Sequence, residues 1–155
     1  LDGSATYEGV LTLPELGSGT NGAVISLEGG GATIKGSVVV TGKFNGFLGR
    51  VNFVKSDASV TNSKGETVGL LCSGGELYTI NDCSLTGYDV ALESNATGFI
   101  SANGRNTFEN NKVAIRIDCA EREWGNGNRT IHHSTFKNNG TAIQLLGLPN
   151  YIPRL

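Results

Sequence analysis

Prolines number three, methionine is absent and Trp124 is the single tryptophan, so the 23 glycines of this 155-residue chain belong neither to collagen nor to a proline-rich linker. Charge of one sign is also missing. Twelve basic residues stand against 14 acidic ones, a net charge of −2, and nucleic-acid binding would need a basic face. No apolar run approaches the roughly 18 to 20 residues of a membrane span, and no targeting segment is visible. Cys72, Cys83 and Cys119 are odd in number and lack CxxC spacing, which argues against a disulfide framework or a zinc site. They read as small buried hydrophobes; a Cys72–Cys83 bridge is the alternative, and the redox compartment stays open. Glycine clusters such as Gly29–Gly31 precede no helical pattern, so no phosphate-cradling loop is implied.

What is present is glycine mixed with Asn, Ser and Thr, the composition of many tight turns between short strands. Two stretches are near copies: Asn106–Asp118 (NTFENNKVAIRID) and Ser134–Leu146 (STFKNNGTAIQLL). They match at Thr107/Thr135, Phe108/Phe136, Asn110/Asn138, Asn111/Asn139, Ala114/Ala142 and Ile115/Ile143. A weaker copy, Ser84–Asn95, puts Leu85 in the Phe slot and Ala91-Leu92 in the Ala-Ile slot; Gly69 takes the Ala slot one copy earlier. The markers recur every 22 to 28 residues, and a repeat of that period indicates a solenoid.

Residues 1–28 carry strand-like runs at Val10, Leu11, Leu13 and at Val24, Ile25, Leu27, with a turn-rich cluster between them. They are expected to be a capping piece or the first irregular coils. Residues 29–155 are expected to be the solenoid proper, open at its C-terminal end. Ala32, Ile34 and Val38, Val40 predict two strands broken at Gly36, Val51 and Phe53 a third, and Ser59-Val60 part of the coil that follows. Ile80, Ile100 and Ile131 are each expected on an inward strand before the Phe slot. Opening at Leu1 and stopping at LPNYIPRL, the chain reads as a segment of a longer protein.

The unit Asn/Ser-x-Phe-x-x-Asn-x-x-Ala-Ile-x-Ile/Leu, once per turn over roughly residues 29 to 150, resembles the repeats of right-handed parallel β-helix proteins of the pectate-lyase-like group. GGGATIKG resembles the opening of such regions. The resemblance implies an all-β, right-handed parallel β-helix of about five to six coils. It also implies a bacterial cell-surface or secreted parent, since many proteins with this repeat are extracellular and multi-module.

In-register stacking puts equivalent residues in columns. Leu85, Phe108 and Phe136 predict one inward column, Leu92, Ile115 and Ile143 a second, and Cys72, Ser94, Ile117 and Leu145 a third. Asn110 and Asn138 are expected at one turn, as buried amides bonding neighbouring backbone. Alternation then sends Leu71, Glu93, Arg116 and Gln144 outward to solvent, followed by Ser73, Asn95, Asp118 and Leu146. The insert Cys119–Arg129 lengthens one coil and carries Trp124. Folded over the outward face, Trp124 would stack on a sugar ring while Glu93, Arg116 and Asp118 take hydroxyls; the plainer reading has Trp124 shield the core and the charges form an exposed pair. These four residues are the candidate glycan site, with a polysaccharide or surface glycan as partner.

Enzymes of the resembled group use clustered acids with Arg or Lys on an outer face, for calcium-assisted elimination or glycoside hydrolysis. Hydrolysis needs two carboxylates roughly 5 to 9.5 Å apart and calcium about six to eight oxygens, but Asp-Asp and Asp-x-Asp clusters are missing from every repeat. The expectation is therefore a non-catalytic structural or adhesion module, monomeric as a segment, with no cofactor and no metal. A fragment of a polysaccharide lyase or glycoside hydrolase is the alternative. His132 and His133 are adjacent, and on a strand they would face opposite sides and could not share an ion. Three Asn-x-Ser/Thr sequons, at Asn95, Asn128 and Asn139, are about what this composition produces by chance.

Overall fold

The computed structural model describes residues 1–13, 25–74, 76–95, 99–118 and 131–147. Fourteen strands and no helix occur among them: β1 (Thr6–Leu13), β2 (Ile25–Glu28), β3 (Thr33–Val40), β4 (Lys43–Gly49), β5 (Asn52–Val54), β6 (Val68–Cys72), β7 (Glu76–Asn81), β8 (Ser84–Thr86), β9 (Val90–Ser94), β10 (Phe99–Ala102), β11 (Thr107–Glu109), β12 (Val113–Asp118), β13 (Thr135–Lys137) and β14 (Thr141–Leu146). Every strand pair is parallel, and each strand lies on its equivalent one turn of chain away. The larger sheet runs β13-β11-β8-β5-β3-β6-β9-β12-β14, with β1 on β3, and curls through 284° about an axis. A smaller sheet, β10-β7-β4-β2, supplies the remaining face. This is an all-β parallel β-helix, whose successive turns begin at β1, β3, β5, β8, β11 and β13.

The expected columns exist. Phe53, Leu85, Phe108 and Phe136 stand opposite one another, and the Phe108 and Phe136 rings stack with centroids 5.4 Å apart. Leu70, Leu92, Ile115 and Ile143 make the second column, and Cys72, Ser94, Ile117 and Leu145 the third. Their apolar members, with Leu48, Val51 and Ile80, belong to one continuous core. Cys72 and Cys83 both lie buried inside it with no disulfide between them, and burial pushes the Cys83 thiol up to about 11.

Several local expectations are corrected. The strand through Ile34 and Val40 is not broken at Gly36. With φ +147° there, β3 bends from one face to the next as a single eight-residue strand, and a Cβ would sit 1.9 Å from the Gly9 carbonyl oxygen. Within residues 1–28, expected as a cap or the first irregular coils, β1 pairs with β3 along its whole length and β2 pairs with β4. On the smaller sheet Ala102, not Ile100, stands opposite Ile80 and bridges to Ile131, because the register shifts between Ile100 and Ala102.

The amide ladder also sits one residue further along than expected. Asn110 and Asn138 are exposed and take left-handed φ values of 58° and 53°. That turn brings Asn111 and Asn139 inward instead. Asn139 Nδ2 donates to the Phe108 carbonyl and its Oδ1 accepts from Asn111 N; Asn111 repeats both bonds one coil down, to Leu85 O and from Tyr88 N. Tyr88 fills the same slot one coil earlier and sends its ring across the interior, where its hydroxyl donates to Gly36 O at 2.6 Å. The ring accounts for Gly69 in the Ala slot, since a Cβ there would lie 2.9 Å from it.

Candidate functional site

The outward column beginning at Leu71 is present: Leu71 stands opposite Glu93, Glu93 opposite Arg116 and Arg116 opposite Gln144. It is partly covered, with Arg116 buried and the other three half-buried, because the chain between β5 and β6 leaves the coil. Residues 55–67 form a hairpin-like excursion closed by an antiparallel Thr61–Thr67 bridge and by Asn62, whose Oδ1 accepts from Lys64 N and Glu66 N. Ser59-Val60 lies on this excursion rather than on a strand. Val60 and Leu71 pack with Val68, Val90 and Val113 in a second, smaller apolar cluster. Ser37 Oγ ties the excursion down, accepting from Val60 N and donating to Val68 O.

Glu66 is thereby delivered to Arg116 from 50 residues away in sequence. Arg116 Nη2 donates to Glu66 Oε1 at 2.9 Å and Nη1 to the other oxygen of the same carboxylate, a bidentate pair. Nη1 also reaches Glu93 Oε2 at 3.2 Å, and Nε donates to Gln144 Oε1 at 2.7 Å. Asn62 Nδ2 donates to both Glu66 and Glu93. The Arg116 side chain is only 7% exposed, against 31% for Glu66 and 13% for Glu93. The Arg116 hydrogen bonds, followed by that from Asn62, draw the Glu66 carboxyl down to about 2, and Glu66 raises the guanidinium in return.

Of the four sequence-derived site residues, Glu93 and Arg116 are thus in contact, inside a covered network. Asp118 lies two residues along, half-buried and opposite Leu146. Trp124 lies outside the described residues, as do Cys119 and the rest of the insert. Sequence reasoning missed Asn62 and Glu66, which sit in the non-repeating excursion and match nothing in the other coils. No group of three or more His, Cys, Asp or Glu side chains is arranged to hold a metal ion among the described residues, and no described helix is long and apolar enough to cross a membrane.

A second polar feature follows the corner between the Phe-slot strands and the next face. It is an open groove of about 600 Å³ lined by Lys55, Asp89, Asn110, Lys112 and Asn138 among others. Asp89 accepts from Thr67 N and Oγ1, and Lys112 Nζ approaches it to 2.6 Å. Lys112 first, then Thr67, hold its carboxyl well below the usual range. Asn139, which heads a sequon, is committed to the internal ladder through both its amide atoms.

Comparison with protein families, curated proteins and solved structures found no match to this chain.

Proposed function

We propose that the chain is a rigid, non-catalytic β-helix module of a larger bacterial cell-surface or secreted protein of the pectate-lyase-like kind, serving as spacer and display surface. The observation that carries this reading is how the charges are used. Glu28 pairs with Arg50, Asp82 with Arg105, Asp89 with Lys112, Glu93 with Arg116 and Glu109 with Lys137, each across to the neighbouring coil. An acid that works on a glycosidic bond must be able to change its proton or meet the sugar. These carboxylates brace one turn against the next instead. Glycan contact, in this reading, falls to Trp124 and its insert beside Asp118.

The test is a glycan array probed with the chain and with Trp124→Ala, together with a reducing-end assay on plant and bacterial polysaccharides. Binding that disappears in Trp124→Ala supports an adhesion module with its contact in the insert. Binding unaffected by Trp124→Ala removes the insert from the site, and absence of any binding reduces the reading to spacer alone. Release of new reducing ends overturns the non-catalytic reading in favour of a lyase or hydrolase fragment.

A further inference from the structure

We propose that His132 and His133 together chelate one borderline divalent metal ion, Cu²⁺ in preference to others, on the outer surface of the last corner. Adjacent residues on a strand would point to opposite sides, but these two are not on a strand. Register places His133 at the same point of the coil as Arg105, Asp82 and Arg50, two residues before the Phe-slot strand. Arg50, Asp82 and His133 all take left-handed φ there, between 51° and 54°. The corner therefore swings the His133 ring to the side of its predecessor. The two rings meet edge to face, with centroids 4.8 Å apart and Nδ1 to Nδ1 at 2.8 Å.

That spacing is the one a chelate needs. Imidazole nitrogens bind such metals at about 2.0 to 2.1 Å, so two of them at a right angle stand about 2.9 Å apart. Without metal, one tautomer can fill the gap by donating its Nδ1 proton to the other ring. A metal ion about 2.0 to 2.1 Å from each nitrogen sits off the line between them, and its binding displaces the proton.

The backbone around the pair is fixed on both sides. Ile131 bridges to Ala102, His132 N donates to Ala102 O at 3.2 Å, and Thr135 N donates to Asn106 O at 2.8 Å. Arg105, the cation one coil away, is paired with Asp82 at 3.0 Å, which offsets its repulsion of an incoming ion. Imidazole donors suit Cu, Ni and Zn, affinity across the divalent series peaks at Cu²⁺, and Cu²⁺ accepts two nitrogens side by side in a tetragonal field. Both rings are exposed, so water completes the coordination and the ion exchanges readily.

Titration of the chain with copper(II) sulfate, followed by electron paramagnetic resonance and visible absorption, tests this. One ion per chain is expected, with hyperfine splitting from two nitrogens. His132→Ala and His133→Asn should each weaken binding at least tenfold. Asn is used at 133 because it tolerates left-handed φ, so loss in that variant reports the missing ligand and not a disturbed corner. An unchanged melting temperature checks the point. Copper binding that survives in the double variant with wild-type affinity, for instance at the Leu1 amine, overturns the proposal. So does a loss of less than threefold in either single variant.

Discussion

Arg116→Met removes the guanidinium that joins the excursion to the coils while keeping most of the side-chain volume. Two carboxylates then share one site, and Glu93 retains the Asn62 amide as a donor. Removing one partner of a buried pair costs roughly 3 to 5 kcal/mol, and the partial exposure of Glu66 lowers that to about 2 to 3 kcal/mol. The proton equilibrium gives a similar figure. A fall of the Glu66 carboxyl from 4.5 to about 2 corresponds, at about 1.4 kcal/mol per pH unit, to about 3 kcal/mol before solvent screening is discounted. For a chain of this size the midpoint should drop by about 5 to 10 °C.

The pH dependence separates this cause from simple loss of packing. Because the folded value of Glu66 is depressed, its contribution is fully present above 4.5, the value of the unfolded chain, and is lost as pH falls from 4.5 through about 2. Urea unfolding of wild type and Arg116→Met should therefore show a gap of about 2 to 3 kcal/mol at pH 7 that closes steadily below pH 4.5. Other acid effects act on both proteins and cancel in the difference. A gap under about 0.5 kcal/mol at pH 7, the range of an ordinary surface change, would refute the clamp; a gap that stays constant down to pH 2.5 would refute its electrostatic origin.

Asn111→Ala strips the partners from Tyr88 N and Leu85 O in the interior and should cost about 2 to 3 kcal/mol in the same assay, whereas Asn110→Gly, at an exposed left-handed position, should stay within about 0.5 kcal/mol. Equal effects at the two positions would place the ladder wrongly. Tyr88→Phe removes the closer of two hydroxyl donors from the Gly36 carbonyl, leaving Ser59 Oγ at 3.3 Å, and should lower stability by about 1 kcal/mol, measured by urea unfolding; no change would mean that Ser59 alone satisfies the carbonyl.

The columns were legible because the repeat carries its own register. Once Ala91, Ala114 and Ala142 are aligned, alternation places Leu92, Glu93 and Ser94 and their equivalents without further information. Alternation fails wherever a residue turns left-handed. At Asn110 and Asn138 the failure moves the inward amide to the next residue, and at His133 it gathers two rings on one side. Asn and His tolerate that conformation, but nothing in the letters says which of two adjacent asparagines adopts it. The covering of Arg116 was illegible for a different reason. Glu66 lies two coils away on a segment with no repeat partner, and only tertiary structure brings it there.

The excursion's anchoring points show why the outward charges became internal ones. It departs at Lys55, whose amide donates to Thr86 O, and returns at Thr67, held by Asp89. Both anchors are on the next coil. Beside the point of return, Glu66 grips Arg116, one coil further still. A solenoid is held together mainly by contacts between neighbouring turns, so a strap joining three turns adds a contact beyond nearest neighbours. Such a strap needs a polar foothold that will not pair with the wrong coil. The outward column provides one: Leu71 and Gln144 at its ends are uncharged, and Glu93 beside Arg116 leaves room for one more carboxylate, which Glu66 fills. Of the four residues read from the sequence as a glycan site, Glu93 and Arg116 belong, in three dimensions, to the lock of that strap.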